Sequence, residues 1–420
     1  MVYGSSACTT AKLRGEGGLL SSSPGPDTSS LLPLTSSNPE CRAASGLCFL
    51  AGDERASEQP GLSALHTVLL REHNSLATGL ARLNPAWGGE RLFQETRRMV
   101  AALVQHITYS EFLPRVLGLG LVTKFHLNLQ TTGYFSQYDP ECSAGIFTEF
   151  ATAAFRFGHS LLSPNLSLVT EQQARRGGQE VRGARSLPLR QLFHNPEKLR
   201  TERGFLDSLL RGLVLQPMMP MDSRLDDEFL NHLFEEKGRP GLDLAALNIQ
   251  RGRDHGLPGY TTYRAWCGLP RVVLWDDLRP QVAKERIVKM AATYSHPDDV
   301  DLFTGLLSEE LLPGTMVGPT LGCLLALQFH HLRRCDRFWY ESGDPLVRFS
   351  PGQLEEVRAQ GLAALLCRNM EQPGVLPWQA FDRVGRGNGL VECEGRGGWH
   401  LHHWRERGEG PSASFNISHA

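Results

Sequence analysis

Apolar residues recur at helical spacing along much of the chain, and residues 62–83 give the clearest case. Leucines occupy positions 62, 65, 69, 76, 80 and 83, with Pro60 near the start and Asn84-Pro85 at the end. Steps of three and four residues place side chains on one face of a helix, and proline is tolerated in a first helical turn. This pattern predicts an amphipathic helix over residues 62–83.

Similar patterns predict further helices and leave little room for strands. The best strand candidate is Arg271-Val-Val-Leu-Trp275, for which an irregular loop is the alternative. Residues 14–46 are rich in Gly, Ser and Pro and predict a surface loop, whereas 170–186 and the tail beyond Arg405 have the composition of mobile segments. The other helices are expected at 100–107, 146–162, 205–216, 225–236, 281–294, 318–334 and 353–367. The chain is therefore predicted to be mainly α, with long irregular connections.

The composition is that of a large protein with its own hydrophobic core. Hydrophobic residues make up 41% of 420 residues, which suffices for one large domain or two ordinary ones. The formal net charge of -2 indicates neither a nucleic-acid footprint nor an electrostatic membrane anchor. No segment reaches the roughly 20 apolar residues that span a bilayer. We therefore expect no nucleic-acid partner and no membrane span.

The cysteines and glycosylation sequons favour secretion, whereas the first residues do not. Nine cysteines indicate an oxidising compartment, and Cys41 and Cys48 close a short loop that a disulfide can link. Asn165-Leu-Ser and Asn416-Ile-Ser fit a secreted glycoprotein. The chain nevertheless begins without the basic and apolar regions of a signal peptide.

One long motif carries the strongest signal in the chain. It reads Leu244-Ala-Ala-Leu-Asn-Ile-Gln-Arg-Gly-Arg-Asp-His-Gly-Leu-Pro-Gly-Tyr260, and Phe155-Arg-Phe-Gly-His159 stands upstream of it. Both segments resemble the animal haem peroxidase superfamily, the group of myeloperoxidase and peroxidasin. The resemblance runs from Met1 to about Arg405 and implies a helical peroxidase domain over 1–405, followed by a mobile tail at 406–420. Residues 232–247 look most like the arthropod chorion peroxidases and peroxinectins.

The resemblance implies a haem ligand. A lone histidine on an apolar helix is more often a satisfied core or surface residue than a ligand. Haem iron, however, takes an imidazole nitrogen as its proximal ligand, and the other ring nitrogen is held by a hydrogen bond. In that family the matching residues supply the ligand and its partner, which correspond to His159 and Asn248 here. Arg156 matches an arginine near a haem propionate, where a guanidinium suits a carboxylate.

A second segment, Phe49-Leu-Ala-Gly-Asp-Glu-Arg-Ala-Ser-Glu-Gln59, resembles the family's distal side. The resemblance implies that Arg55 faces the peroxide, where a cation stabilises the negative charge on the departing oxygen. It also implies that Glu58 forms an ester to a haem methyl. A solvated charge cluster at a helix start is the alternative interpretation. Gln59 stands where the myeloperoxidase type has methionine, so no sulfonium link is expected.

The family resemblance also bears on the remaining cysteines. It implies the disulfides Cys267–Cys323 and Cys367–Cys393. Three cysteines have no expected partner: Cys8, Cys142 and Cys335. The chain departs from the family pattern at Arg334-Cys335, where an acid and a glycine are common, and at Arg368, where an aspartate is common. These departures predict weakened stability.

Several parts of the family's site have no counterpart in this sequence. In the family, the distal histidine, the acid of a second haem ester and the calcium-binding loop all precede the segment that Met1-Val-Tyr-Gly matches. The resemblance therefore implies an N-terminally truncated chain that lacks the calcium loop. We expect impaired turnover, because a general acid–base group contributes on the order of 10²–10⁴ in rate.

The expected function is that of a secreted peroxidase that contains haem b. Such an enzyme uses hydrogen peroxide to oxidise small donors such as halides, phenols or tyrosine, and the chorion-type resemblance implies partners in the extracellular matrix or eggshell. The alternative is a non-catalytic adhesion or binding protein of the same fold. Adhesion of the peroxinectin kind favours an Arg-Gly-Asp motif, and this chain has Arg251-Gly-Arg253.

Overall fold

The computed structural model describes residues 2–27, 29–176 and 183–406, and it is mainly α as predicted. Short 3₁₀ segments join many of the α-helices, and the strands form small antiparallel pairs. The α-helices in these ranges are α1 (Ala7–Leu13), α2 (Pro60–Leu83), α3 (Gly89–Ile107), α4 (Leu113–Lys124), α5 (Thr148–Thr152), α6 (Glu171–Arg175), α7 (Glu197–Thr201), α8 (Phe205–Leu215), α9 (Asp227–Leu230), α10 (Leu244–Asp254), α11 (Tyr260–Trp266), α12 (Lys284–Thr293), α13 (Leu302–Ser308), α14 (Pro319–Cys335), α15 (Pro351–Arg358) and α16 (Leu362–Asn369). The strand pairs are β1 (Ser23–Pro24) with β2 (Ser30–Leu31), β3 (Leu34–Thr35) with β4 (Cys48–Phe49), β5 (Asn165–Leu168) with β6 (Arg185–Pro188), and β7 (Val375–Pro377) with β8 (Leu390–Glu392).

Helix α2 confirms the clearest sequence pattern and stands at the centre of the core. Pro60 opens the helix, where its missing N–H costs no hydrogen bond, and the Gln59 side chain accepts a hydrogen bond from the Gly61 amide at 2.6 Å. Its buried face contributes to two hydrophobic clusters. Val68 belongs to one cluster, and Leu80 belongs to the other. Helix α3 packs along α2 and also contributes to both clusters. The two helices therefore connect the two halves of the core.

The helix that follows α2 is longer than expected. The sequence pattern predicts it only over 100–107, yet α3 begins at Gly89 and continues through a π-helical turn at Thr108–Phe112 into α4. The first half of α3 has many charged residues on its exposed face, and they obscure in the sequence a regular buried face that includes Phe93 and Met99. Pro114 does not end the helix but lies in the first turn of α4, where it needs no hydrogen-bond partner.

Other sequence predictions were wrong in bounds or type. Residues 225–236 form only the short helix α9, because Leu233 pairs with Leu242 and the Arg42 guanidinium binds the carbonyls of residues 234 and 235. Residues 353–367 are divided between α15 and α16. Residues 271–275 form no strand, which agrees with the loop alternative, and the amides of Val273 and Leu274 donate to the Asp277 carboxylate.

The expected loops also contain order. Residues 14–46 include the strands β1, β2 and β3, and buried leucines anchor them to the core. Within 170–186 the structure describes α6 and the start of β6, and residues 177–182 lie outside the described part. The predicted tail begins at Glu406, whose carboxylate accepts a hydrogen bond from the Trp87 indole at 3.0 Å. Residues 407–420 lie outside the described part.

Four disulfides crosslink the described residues, and three of them were expected. These three are Cys41–Cys48, Cys267–Cys323 and Cys367–Cys393. The fourth joins Cys142 to Cys335 across 193 residues, whereas Cys8 is free and exposed. Cys335, which stands where the family commonly has glycine, therefore links the end of α14 to the loop before α5.

The two unusual arginines have partners as well. Arg334 pairs with Asp139 at 2.9 Å, so an ion pair lies close to the fourth disulfide. Arg368 pairs with the buried carboxylate of Glu72 at 2.8 Å, which is a stronger constraint because an unpaired buried charge is costly. Arg334, Cys335 and Arg368 each make a contact of their own, and the expectation that these departures weaken the fold stays a prediction. No helix among the described residues is long and apolar enough to cross a membrane.

We expect the Cys142→Ser/Cys335→Ser double variant to lose about 2–4 kcal/mol of unfolding free energy, because the crosslink restricts a long loop in the unfolded chain. Urea denaturation without reductant measures this loss. The control is Cys8→Ser, which changes an exposed free thiol and should stay within about 0.5 kcal/mol of the parent. Equal stability of the double variant and the control would contradict a stabilising role for the crosslink.

Candidate functional site

The segment that carries His159 is not the single helix predicted over 146–162. Helix α5 ends at Thr152, and Ala153 breaks it with φ -139° and ψ -63°. A 3₁₀ helix then runs over Ala154–Leu161. In a 3₁₀ helix residues three apart lie directly above one another, so Arg156 and His159 point to the same side. The change of helix type therefore brings these two side chains together.

Helix α10 supplies the residue that both side chains contact. The Asp243 carboxylate caps this helix by accepting a hydrogen bond from the Ala246 amide at 2.9 Å. Asn248, in the second turn, is fully buried. Its Nδ2 lies 2.8 Å from Nδ1 of His159, and its Oδ1 accepts a hydrogen bond from Arg156 Nη1 at 3.0 Å. The structure thus brings together three residues that the sequence analysis singled out.

His159 is held as a neutral imidazole. Its pKa is lowered to about 4, mainly by burial and also by the nearby Arg156 cation. A metal binds an imidazole nitrogen through its lone pair, so the neutral ring is the form that can act as a ligand. At neutral pH this ring is therefore in the protonation state that iron ligation requires.

His159 lines a cavity of about 760 Å³, a volume within the usual range for small-molecule sites. Its walls are mainly apolar, and three guanidinium groups and one carboxyl group interrupt them. The lining side chains include Arg55, Glu58, Gln59, Ile146, Phe150, Phe155, Arg156, Leu162, Leu213, Met218, Phe229, Phe234, Leu244, Leu247 and Arg251. Apolar walls with separate cationic groups fit a flat macrocycle that carries carboxylates, so the residues present are compatible with haem.

Arg55 lies at the cavity, but its side chain is engaged elsewhere. Its Nε and Nη2 donate to the two carboxylate oxygens of Asp53 at 3.0 and 2.9 Å, and 73% of the side chain is exposed. The same hydrogen bonds hold the pKa of Asp53 well below its usual range. This ion pair at a helix start matches the structural alternative named above, although Arg55 also faces the cavity.

Glu58 lines the same cavity and is partly buried. Burial raises the pKa of its carboxyl group, the nearby Arg55 cation opposes the rise, and the carboxylates of Glu40 and Asp53 add to it. The neighbouring Gln59 both caps α2 and reaches the cavity wall. The residues just before α2 therefore form one wall of the cavity, with a cation and an acid close together.

Sequence reasoning missed Arg251 as a site residue. It lies three residues after Asn248 in α10, and its side chain lines the cavity. Leu244 and Leu247 line it from the same helix, so the cavity face repeats at steps of three and four residues. This spacing was visible in the sequence and could have identified Arg251.

Other residues of the long motif support the backbone. Arg253 pairs with Asp301 at 2.7 Å on the surface. The backbone at Gly259 passes so close to residue 298 that a Cβ atom would lie 2.1 Å from the carbonyl oxygen of Asp298. Only glycine fits there, so the motif also fixes how the chain leaves α10 for α11.

Comparison with known proteins identifies similar chains. Residues 1–381 match the family model described as animal haem peroxidase. The peroxidasin homolog of Homo sapiens is 44% identical over 327 residues, which cover 77% of this chain and 21% of that protein. The thyroid peroxidase of Sus scrofa is 40% identical over 378 residues, which cover 89% of this chain and 39% of that protein. The chain thus spans about a fifth to two fifths of the length of these relatives.

A solved structure shares the fold. Peroxidase A from Dictyostelium discoideum superposes with a TM-score of 0.74 at 30% sequence identity. The match covers 90% of this chain and 69% of that chain. The predicted likeness to chorion peroxidases and peroxinectins within the family stays a prediction.

We expect the imidazole of His159 to remain neutral until the pH falls towards 4, because burial penalises its charged form. An NMR titration, with the signal assigned by its loss in His159→Gln, measures this. The folded-state pKa lies below the ordinary value of 6.5, so the unfolded chain binds protons first. The contribution of this residue to stability therefore declines as the pH falls from about 6.5 to about 4. A midpoint near 6.5 would show that water reaches the ring.

Proposed function

The chain belongs to the animal haem peroxidase family, and we propose that it binds haem b in the cavity around His159 and uses it to reduce hydrogen peroxide. The observation that carries this proposal is the neutral imidazole of His159, bonded to the buried Asn248 at the wall of an apolar cavity with three guanidinium groups. Haem, when bound, supplies the iron redox chemistry by which peroxide is reduced and a donor is oxidised.

The proximal residues hold and orient the cofactor. The Nδ1 atom of His159 faces Asn248, so Nε2 is the ring nitrogen available to iron. Asn248 fixes the plane of the ring, as hydrogen-bond partners of metal ligands commonly do. Arg156 and Arg251 stand where they can bind carboxylates of the cofactor, since planar guanidinium groups suit carboxylates. The apolar walls exclude water from this environment.

The residues just before α2 act on the peroxide side in this proposal. The Arg55 cation stabilises negative charge as the oxygen–oxygen bond breaks, and Asp53 sets its direction through two hydrogen bonds. Glu58, which lines the cavity, would supply the carboxylate for an ester link to a haem methyl, with hydrogen peroxide as the two-electron oxidant of the methyl carbon. If this link forms, acidified organic solvent extracts haem from Glu58→Gln but not from the parent protein.

The donors and the location are also proposals. Small molecules such as halides, phenols and tyrosine suit a cavity whose lining includes three guanidinium groups. The four disulfides support an extracellular site of action, because such crosslinks persist in oxidising compartments. Matrix or eggshell proteins that present tyrosine are then the candidate macromolecular partners.

A non-catalytic binding role is the second candidate, and one observation favours it. The Arg55 guanidinium is paired with Asp53 and largely exposed, and it is not held free inside the cavity. The absorption spectrum of the haem-loaded protein distinguishes the two roles. A spectral change on adding hydrogen peroxide, reversed by a phenolic donor, supports the peroxidase, whereas a stable haem spectrum without donor oxidation supports the binding protein.

We expect His159→Ala to weaken haem binding by on the order of 100-fold and Asn248→Ala by about 10- to 100-fold, because the first removes the ligand and the second its support. Titration of each protein with haem, followed by absorbance, measures both losses. The control is His255→Ala, which removes an exposed histidine at the end of α10. Binding by His159→Ala as tight as by this control would reject the ligand assignment.

A further inference from the structure

We propose that a row of aromatic rings beside the cavity, together with two arginines, is a docking surface for an acidic polypeptide with repeated tyrosines. The rings belong to Phe155, Phe112 and Phe381, and we call this row the aromatic strip. Arg383 and Arg386 follow the last ring in the sequence. This inference rests on the proposed function and deepens it, because it says where a macromolecular tyrosine donor binds.

The aromatic strip begins in the cavity and leads to the surface. Phe155 lines the cavity and is 44% exposed. Its ring centre lies 6.5 Å from that of Phe112, and the ring centres of Phe112 and Phe381 are 5.9 Å apart. Phe381 lies in the loop between β7 and β8 and is 41% exposed. A single exposed phenylalanine is ordinary, whereas a contiguous exposed apolar surface indicates an interaction site.

The loop that carries Phe381 is held in place before any partner binds. The side-chain amide of the buried Asn388 donates to the carbonyl oxygens of Gln379 and Asp382 at 3.0 and 2.8 Å. Its oxygen accepts a hydrogen bond from the Gln379 amide at 2.7 Å. Arg115 of α4 donates to the Asp382 carboxylate at 2.9 Å. Because a preformed surface has little entropy to lose, ring contacts on the strip contribute directly to binding.

The length of the aromatic strip fits a polypeptide with tyrosines at a regular spacing. Phenylalanine rings offer no hydrogen-bonding group and attract another ring by stacked or edge-to-face contact. An extended chain advances about 3.3 Å per residue, so about four residues span the two ring steps of the strip. Side chains an even number of positions apart lie on the same face of an extended chain. One tyrosine can therefore contact Phe155 at the cavity while a second contacts Phe381.

The charge near the outer end of the strip favours acidic residues in the partner. The carboxylate of Asp382 is paired with Arg115. Arg383 and Arg386 are exposed, and among the described residues neither guanidinium forms a salt bridge or a hydrogen bond. Three guanidinium groups and one carboxyl group line the cavity at the other end of the strip. Complementary charge steers association and fixes register, so the partner carries aspartate or glutamate beyond its outer tyrosine.

The test uses a fluorescently labelled peptide that has two tyrosines about four residues apart and glutamates beyond the second. Fluorescence anisotropy measures its binding to the protein with and without haem. Phe381→Ala should weaken binding about three- to tenfold, the loss expected for one aromatic pair. Phe381→Trp should restore binding, because it keeps a ring at this position. A peptide with alanine for its outer tyrosine should lose the same factor against the parent and nothing further against Phe381→Ala.

The charge is tested separately. Arg383→Glu/Arg386→Glu should weaken peptide binding about tenfold at low salt, and the difference should shrink at high salt, because exposed charges are screened. Arg271→Glu/Lys284→Glu is the matched control, since it makes the same change in net charge at exposed residues outside the strip. Phe338→Ala is the control for the ring, because Phe338 is 70% exposed and does not belong to the strip. Both controls should bind the peptide as the parent does.

Each outcome decides a different claim. Peptide binding that Phe381→Ala leaves unchanged, or that the control charge reversal weakens as much as the reversal at the loop, overturns the docking surface. Binding of a sulfated polysaccharide such as heparin that depends on Arg383 and Arg386, without binding of the tyrosine peptide, also overturns it. Haem binding without peptide binding rejects the surface and leaves the proposed function. Peptide binding with the expected losses, in a protein that does not bind haem, rejects the proposed function and leaves the surface.

Discussion

The buried amide of Asn248 needs a partner for its oxygen and another for its nitrogen, and the candidate site depends on how this need is met. The two partners, Arg156 and His159, come from one 3₁₀ helix, and the amide comes from α10. Because an unpaired buried amide is costly, these two elements cannot move apart or slide without losing stability. One constraint thus sets the spacing of the two helices, the plane of the imidazole and the position of the guanidinium.

The surrounding fold holds both sides of this contact in place. Phe150 and Phe155 stack at 4.6 Å between ring centres, and both pack against Phe329 of α14. Cys142 and Cys335 then link the loop before α5 to the end of α14. The aromatic cluster and the crosslink both join the segment around α5 to α14. Together they fix the 3₁₀ helix against the core, which lets a few polar atoms in the cavity keep a defined geometry.

The parts of the fold that could be predicted are those that local spacing determines. The leucine repeat predicts α2, and the family motif names Arg156, His159 and Asn248, but periodicity could not show that the ligand segment is a 3₁₀ helix. Ala153, where α5 breaks, is buried in a cluster with residues from distant parts of the chain, which local spacing does not reveal. The partner of Cys142 lies 193 residues away, beyond the reach of any local signal. Arg251 differs, since its helical spacing from Asn248 was readable.

The most direct test of the account is a crystal structure of the protein loaded with haem. The account predicts that iron lies on Nε2 of His159 and that Nδ1 remains hydrogen-bonded to Asn248. Haem bound through another side chain, or outside the cavity lined by His159 and Arg251, would contradict the central claim.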